Sequence, residues 1–545
     1  MFFIILRSRR LAGLFTGVVL WVFTYLGLCA GPVSAGEDEP VYGDDIVYGM
    51  IGAPGNLLSF MSSDTASREV ASQFYVALLR YDKNIEIEPW AAESYEVLDG
   101  GLRLRFTLRK GILWQDGTEL TVDDVEFTYK LMIDPKTPTA YGGDFKAVQS
   151  FTRLDRYSFE VRYAKPFARS LVTWMTDIMP KHLLEGQDLR SSPLAWKPVS
   201  CGPFLLEENR PGSMLTLAAN PNYFEGRPRL NKLIYRIIPD SGTMFMELKA
   251  GKLDLMPSLT PQQYMFQAQK PAFAKEYALY SSLASTYVYL GYNPKSPFFA
   301  DERVRVAFAY ALNKADIIKG ALLGQGVPTI GPYKPGTWTY NDEIVDYPHD
   351  PKKALELLAE AGWKPNADGK LEKDGRPFSF TVLVNQGNEA RIKTAVIIQY
   401  ELAKLGIEMK IRTLEWAAFL SIVQNRRFDA VILGWTIPAD PDGYDVWHSS
   451  GVGGMLNFVD FADPEADDLL ERARSTFDQA ERKKLYARFQ EILHRRQPYC
   501  FLYVPEQITA VQRRFRGIEP APAGITYNFN DWWVPRADQR YRMTP

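Results

Sequence analysis

Histidine is scarce in this chain: His182, His349, His448 and His494 are the 4 in 545 residues. They stand far apart, none forms an H-x-x-x-H pair and none sits beside a cysteine pair, so the ligand spacing of a zinc site is missing. Charge imbalance is equally slight. The net charge is −2 and no block of like charges occurs, which removes the electrostatic footprint of a nucleic-acid binder. There is no G-x-S-x-G elbow, and Gly451, Gly453 and Gly454 complete neither a G-x-G-x-x-G fingerprint nor a Walker loop. The many carboxylates could include a glycosidase pair, but that chemistry depends on a spatial separation that sequence spacing does not report. No local signature of a catalytic centre, metal or nucleotide cofactor is left.

Aromatic residues, by contrast, are plentiful: 13% of the chain, including 12 Trp and 29 Tyr. Such a supply suits large cores or a ring-lined ligand cleft. A chain of 545 residues exceeds one ordinary core, so two or three lobes of about 100–250 residues each are expected. The start reads as a leader rather than as part of the fold. Arg7, Arg9 and Arg10 precede an apolar run from Leu11 to Leu28, and Val33-Ser34-Ala35 supplies a small-residue cleavage site. Residues 1–35 are therefore expected to be a secretory signal peptide. An uncleaved anchor is the alternative, and Leu26-Gly27-Leu28-Cys29 offers a lipid anchor at Cys29 as a second choice, with bulky Leu28 standing where a small residue belongs. Removal of the leader leaves Cys201 and Cys500, either as one disulfide or as two buried thiols.

Along the mature chain, a helical stretch is expected near Arg68–Leu79. Leu102, Leu104, Phe106 and Leu108 alternate with polar residues as a half-buried strand does. Asp116-Gly117 marks a turn, and Thr121 with Asp124 makes a capping box before a helix carrying Val125, Tyr129 and Met132. In the second half Asp301 caps a helix with Val304, Ala307, Phe308, Ala311 and Leu312 on its buried face. A helix with Ala354, Leu357, Leu358 and Ala361 ends at Gly362. A strand through Phe378, Phe380, Val382 and Val384, a helix from about 389 to 405, a strand at 407–411, a short helix after Glu415 and a strand at 428–433 follow. That alternation predicts an α/β fold with right-handed crossovers and a mostly parallel sheet.

Ligands of open α/β sheets sit beyond the carboxyl ends of the strands. The loop from Gly434 and Trp435 to Asp442 and the loop Asn385-Gln386-Gly387-Asn388 are the candidates here. Asn385 and Gln386 offer amides to a ligand backbone. Trp435 and Trp416 are either ring walls or core residues. Arg391 opens the helix after the first loop, as a ligand-facing cation or a structural one.

Several stretches together resemble the bacterial extracellular solute-binding family that includes the oligopeptide- and dipeptide-binding proteins of ABC importers. They include Phe106-Thr107-Leu108-Arg109-Lys110-Gly111, Trp114-Gln115-Asp116-Gly117, Thr121-Val122-Asp123-Asp124-Val125, Cys201-Gly202-Pro203-Phe204 and Asn222-Tyr223-Phe224-Glu225-Gly226. Ala361-Gly362-Trp363, Leu405-Gly406-Ile407 and Phe428-Asp429 through Gly434-Trp435 extend the likeness over nearly all of the mature chain.

The resemblance implies a two-lobed periplasmic binding protein fold of the class with an extra domain, its mixed sheets flanked by helices. Lobe I would comprise 37–78, 200–285 and 505–545, the extra domain 79–199 and lobe II 286–504. It implies a non-enzymatic, extracytoplasmic protein, expected to be monomeric, that captures peptides without a cofactor and passes them to the permease subunits of an ABC importer. The alternatives are an oligosaccharide or a metal chelate in the same fold, or a secreted hydrolase. In the family an acid three residues beyond the Gly-Trp pair receives the ligand ammonium. Pro438 occupies that position, and the nearest acid is Asp440, read either as the ammonium partner or as a turn residue before Pro441.

Overall fold

Alternation in the first half buries Leu104, Phe106 and Leu108 completely on one face of the strand Arg103–Leu108. Burying each such side chain contributes about 1.5–3 kcal/mol. In the computed structural model, residues 39–541 are described except for 62–64, 140, 438 and 455. The leader assigned to 1–35, Cys29 and Pro438 therefore lie outside the described residues. Leu102 precedes the strand and is exposed, because the strand begins only at Arg103. The pairing Ala92–Leu98, Arg103–Leu108, Ser158–Tyr163, Val148–Arg153 forms a four-stranded antiparallel sheet. Against it lies the helix Val122–Ile133, whose start is closed by the reciprocal Thr121–Asp124 capping box.

The expected helix near Arg68–Leu79 is shorter. It spans Thr65–Ala71, and the chain then turns into the strand Leu79–Tyr81. Residues Phe74 to Leu79 are all buried, which a surface helix with one solvent face cannot achieve.

One extended sheet carries the remaining architecture. Its order runs Glu408–Leu414, Ser379–Asn385, Ala430–Thr436, Thr286–Tyr292, Tyr499–Gln512, Leu255–Met256, Asp45–Met50, Lys232–Ile237, Met214–Ala219, Phe204–Arg210. Pairing is parallel among the strands at 379, 408 and 430 and antiparallel from Thr286–Tyr292 onward to the long strand. The sheet is thus mixed, as right-handed crossovers followed by a return strand require.

Helices cover both faces of the second half. Val382, Val384, Ala430 and Ile432 face the helices Glu302–Ala311 and Glu389–Ala403. Leu383, Val431 and Leu433 face Pro464–Ser475 and Gln479–Arg496. These two buried clusters are built from residues 287–504 alone. Two others serve the first half, and the larger also includes the four-stranded sheet and the C-terminal Trp532. Cys201 and Cys500 belong to different clusters and are free, so no bond joins them. Among the described residues no helix is long and apolar enough to cross a membrane.

Candidate functional site

The chain passes between the two halves of the extended sheet at two adjacent places. The strand Tyr277–Leu283 pairs with the second half of the long strand, and Thr286–Tyr292 pairs with its first half. Between them Ala284 N–H donates to the Pro505 carbonyl at 2.9 Å. The carboxyl ends of the three parallel strands, Asn385, Leu414 and Thr436, come to this same edge, because Thr436 pairs with Thr286. Ile437 N–H donates to the Ser285 carbonyl at 2.9 Å, and Gln386 N–H to the Leu414 carbonyl at 2.7 Å. The loop after Trp435 thus meets the crossover, and the loop 385–388 lies at the same carboxyl edge of the parallel strands.

Trp435 is the sixth residue of the strand Ala430–Thr436 rather than part of a loop, since Thr286–Tyr292 supplies backbone partners through Thr436. Its indole stacks on Phe458 at 5.2 Å and its Nε1 donates to Tyr499 Oη at 3.3 Å. Trp416 begins the helix Trp416–Gln424 and leaves 46% of its surface in solvent while stacking on Phe419. Asn385 accepts from Arg391 Nη1 at 2.9 Å, and Gln386 is exposed beside it.

Arg391 is the most constrained cation of this edge. Its Nη2 lies close over Gly434, where a side chain would collide with it and with the Tyr287 carbonyl. Its buried Nε has no hydrogen-bond partner among the described residues, where Asn385 takes the one hydrogen bond of the guanidinium. Burial lowers the pKa of the guanidinium from its ordinary value, opposed only by the neighbouring Tyr289 and Tyr503. Tyr289 adds a second buried polar group, a hydroxyl without a hydrogen-bond partner among the described residues, and burial raises its pKa well above the ordinary tyrosine value. The guanidinium and the Tyr289 hydroxyl thus stand side by side with hydrogen-bonding capacity left over.

On the other side of the crossover is a polar cavity of about 180 Å³. Ser282, Gln507 and Thr509 from the crossing strands, Ser285 from the link between them, Tyr48 from the first half, Lys334 from the second and 522–526 from the C-terminal segment line it. Lys334 is 91% buried, and burial lowers its pKa.

Asp440 and Asp442 sit elsewhere. Asp440 is buried and pairs with Arg482 Nη2 at 3.1 Å, while Asp442 pairs with Arg474 Nε at 2.8 Å. Asp440 faces a separate cavity of about 220 Å³ with Tyr81, Trp338 and Arg482. An ammonium role for Asp440 requires a ligand to share or replace Arg482. Sequence reasoning passed over Lys334, Tyr289 and the two arginines. The Gly331-Pro332-Tyr333-Lys334-Pro335-Gly336 turn was the one available signal, since a lysine between prolines cannot swing with its backbone.

Comparison with known proteins agrees with this architecture. The model of the bacterial extracellular solute-binding proteins, family 5 (middle region), matches residues 86–456. The oligopeptide-binding protein AppA of Bacillus subtilis is 34% identical over 97% of this chain and 100% of its own length. The heme-binding protein A of Haemophilus influenzae is 30% identical over 84% of this chain and 87% of its own. The solved structure of Bacillus subtilis AppA in complex with a nonapeptide superposes with a TM-score of 0.73, covering 91% of this chain and 100% of that one. Family membership supports an extracytoplasmic location and the solute-binding role of an ABC importer. With its mixed α/β architecture and its cation-lined crossover, the chain belongs to the family 5 bacterial extracellular solute-binding proteins.

Proposed function

We propose that the protein captures short peptides between two lobes and delivers them to an importer permease, after loss of residues 1–35. In this reading lobe I is 37–78, 200–285 and 505–545, the extra domain is 79–199, and lobe II is 286–504. The lobes move about the Leu283–Thr286 and Val504–Glu506 crossings, where few backbone pairs need to bend. The observation that carries the proposal is Arg391, a part-buried guanidinium whose buried Nε has no partner among the described residues, at the carboxyl ends of the parallel strands. A peptide carboxylate would supply the missing acceptor and counter-charge. Asn385 and Gln386 would satisfy peptide amides, and Trp435 and Trp416 would bound its side chains. The names of relatives that bind oligopeptides support this cargo over others.

The test is to denature the purified mature protein and identify the released small molecules by mass spectrometry. A heterogeneous set of short peptides is expected. A single heme, metal chelate or sugar as the released species overturns the peptide reading.

A further inference from the structure

Lys334 stands on a tight turn, with Thr337 Oγ1 donating to its carbonyl at 2.7 Å, so its backbone is held in place. Its side chain enters the 180 Å³ cavity beside the crossover. There the ammonium, which carries three donors, has one weak contact, the Pro522 carbonyl at 3.4 Å. Among the described residues no carboxylate is paired with it, and burial alone lowers its pKa. A lysine side chain this far buried, with one long hydrogen bond for its ammonium, is costly unless a ligand completes it. The walls offer complementary groups: hydroxyls of Ser282, Ser285 and Thr509 and the amide of Gln507. Such a lining suits an oxyanion better than an apolar group.

Size narrows the ligand further. The cavity has the room of about six waters, enough for a carboxylate with a few carbons but not for a whole drug-sized ligand. Ser285, one of its walls, bonds the backbone that continues from Trp435 and Thr436. The cavity is thus contiguous with the strand end where the cargo is placed, and distinct from Arg391, which lies over Gly434.

We infer that Lys334 forms a second anion subsite, which takes a carboxylate at one end of the ligand and so selects acidic cargo. This rests on the peptide reading for its ligand but not for its chemistry. Two sources of the carboxylate, a peptide C-terminus and an Asp or Glu side chain, share that chemistry.

The experiment uses the mature full-length chain, freed of endogenous ligand by unfolding and refolding, and its Lys334→Met and Lys334→Gln variants. Each is offered a random-sequence peptide pool with free C-termini and the same pool amidated, and the retained peptides are sequenced by mass spectrometry. Wild type should prefer the free-acid pool by about tenfold if the C-terminus is the source, or enrich Asp and Glu equally in both pools if a side chain is. Both variants should lose that preference while still retaining peptides. An unchanged preference in both variants overturns the subsite. Should wild type retain no peptide, the peptide reading falls, and succinate then decides the subsite. A melting-temperature rise with succinate in wild type but not in the variants supports it, and an equal response, including none, overturns it. The ligand-free Lys334→Met protein should melt no lower than wild type, since it loses an unpaired buried charge, which guards against a folding artefact.

Discussion

Arg482 Nη2 lies 3.1 Å from Asp440 Oδ2, and the two side chains keep 9% and 4% of their surface in solvent. Tyr486 Oη accepts from the same nitrogen at 3.2 Å, and the guanidinium carbon sits 5.8 Å from the centroid of Trp338. Beside it Arg474 holds Asp442 in the same way, from the preceding helix. The short loop between the strand at 430–436 and the next helix is therefore fastened to the helical layer by two arginines. Proline at 441 and the Asp440 contact to Asp442 N–H stiffen it further.

Breaking this pair should cost stability first. Asp440→Ala leaves a buried guanidinium without its carboxylate, which costs about 3–5 kcal/mol. The double variant Asp440→Leu with Arg482→Met removes both charges and should recover most of that loss. Urea unfolding of the three proteins checks it. A ligand-free Asp440→Ala protein as stable as wild type would show that the pair carries no structural load.

Gly434 gives a test of Arg391 that leaves the arginine in place. A methyl group there would stand 2.7 Å from the Tyr287 carbonyl and 2.8 Å from Arg391 Nη2, so the guanidinium must move. Gly434→Ala should cost about 1–3 kcal/mol in stability through overpacking. If Arg391 receives the cargo, peptide affinity should fall by about tenfold or more, matching Arg391→Met, as isothermal titration of both variants with a retained peptide would reveal. Equal affinity in wild type and both variants would move the carboxylate contact elsewhere.

Phe477 links the four-stranded sheet to the helices of the second half. Its ring occupies the space where a side chain at Gly101 would stand, and Gly101 has φ of +93°. Nearby, Ala168 N–H donates to the Arg474 carbonyl at 2.6 Å. Gly101→Ala combines a left-handed backbone penalty with a steric clash and should destabilise by about 2 kcal/mol or more. Thermal unfolding measures this, and Phe477→Ala in the same chain should relieve the steric share.

Glu160 predicts an acid-sensitive contribution. On the four-stranded sheet it pairs with Arg105 at 2.7 Å and with Arg103 at 3.1 Å. Its hydrogen bond from Arg105, followed by that from Arg103, outweighs desolvation and holds its carboxyl below the ordinary glutamate value. A carboxyl lowered in the folded state stabilises fully above its unfolded pKa and loses that contribution as pH falls through the folded one. Glu160→Gln should cost about 1 kcal/mol at pH 7, and the difference from wild type should shrink at an acidic pH below the ordinary glutamate value. Denaturant titrations at the two pH values provide the comparison.

Much of the fold was legible because its signals are local. The Thr121–Asp124 capping box, the Asp301 cap and the alternation through Phe106 each depend on residues a few positions apart. The likeness to the solute-binding family was legible too, since its motifs recur in order along the chain. Other features depended on remote partners. The helix expected to reach Leu79 stops at Ala71 because distant core residues enclose the following segment. The strand expected to end at Leu433 runs on because Thr286 pairs with Thr436, 150 residues away.

Sequence by itself determined the α/β alternation, the caps, the shortage of metal-ligand and catalytic motifs and the family, all of which follow from spacing, composition or motif order. Tertiary structure alone decided that Asp440 is held by Arg482, that Cys201 and Cys500 lie in separate cores, and that part-buried Arg391 and buried Lys334 pair with no carboxylate among the described residues. The reason is physical: a charge is costly or harmless according to what surrounds it, and those surroundings come from segments tens to hundreds of residues away.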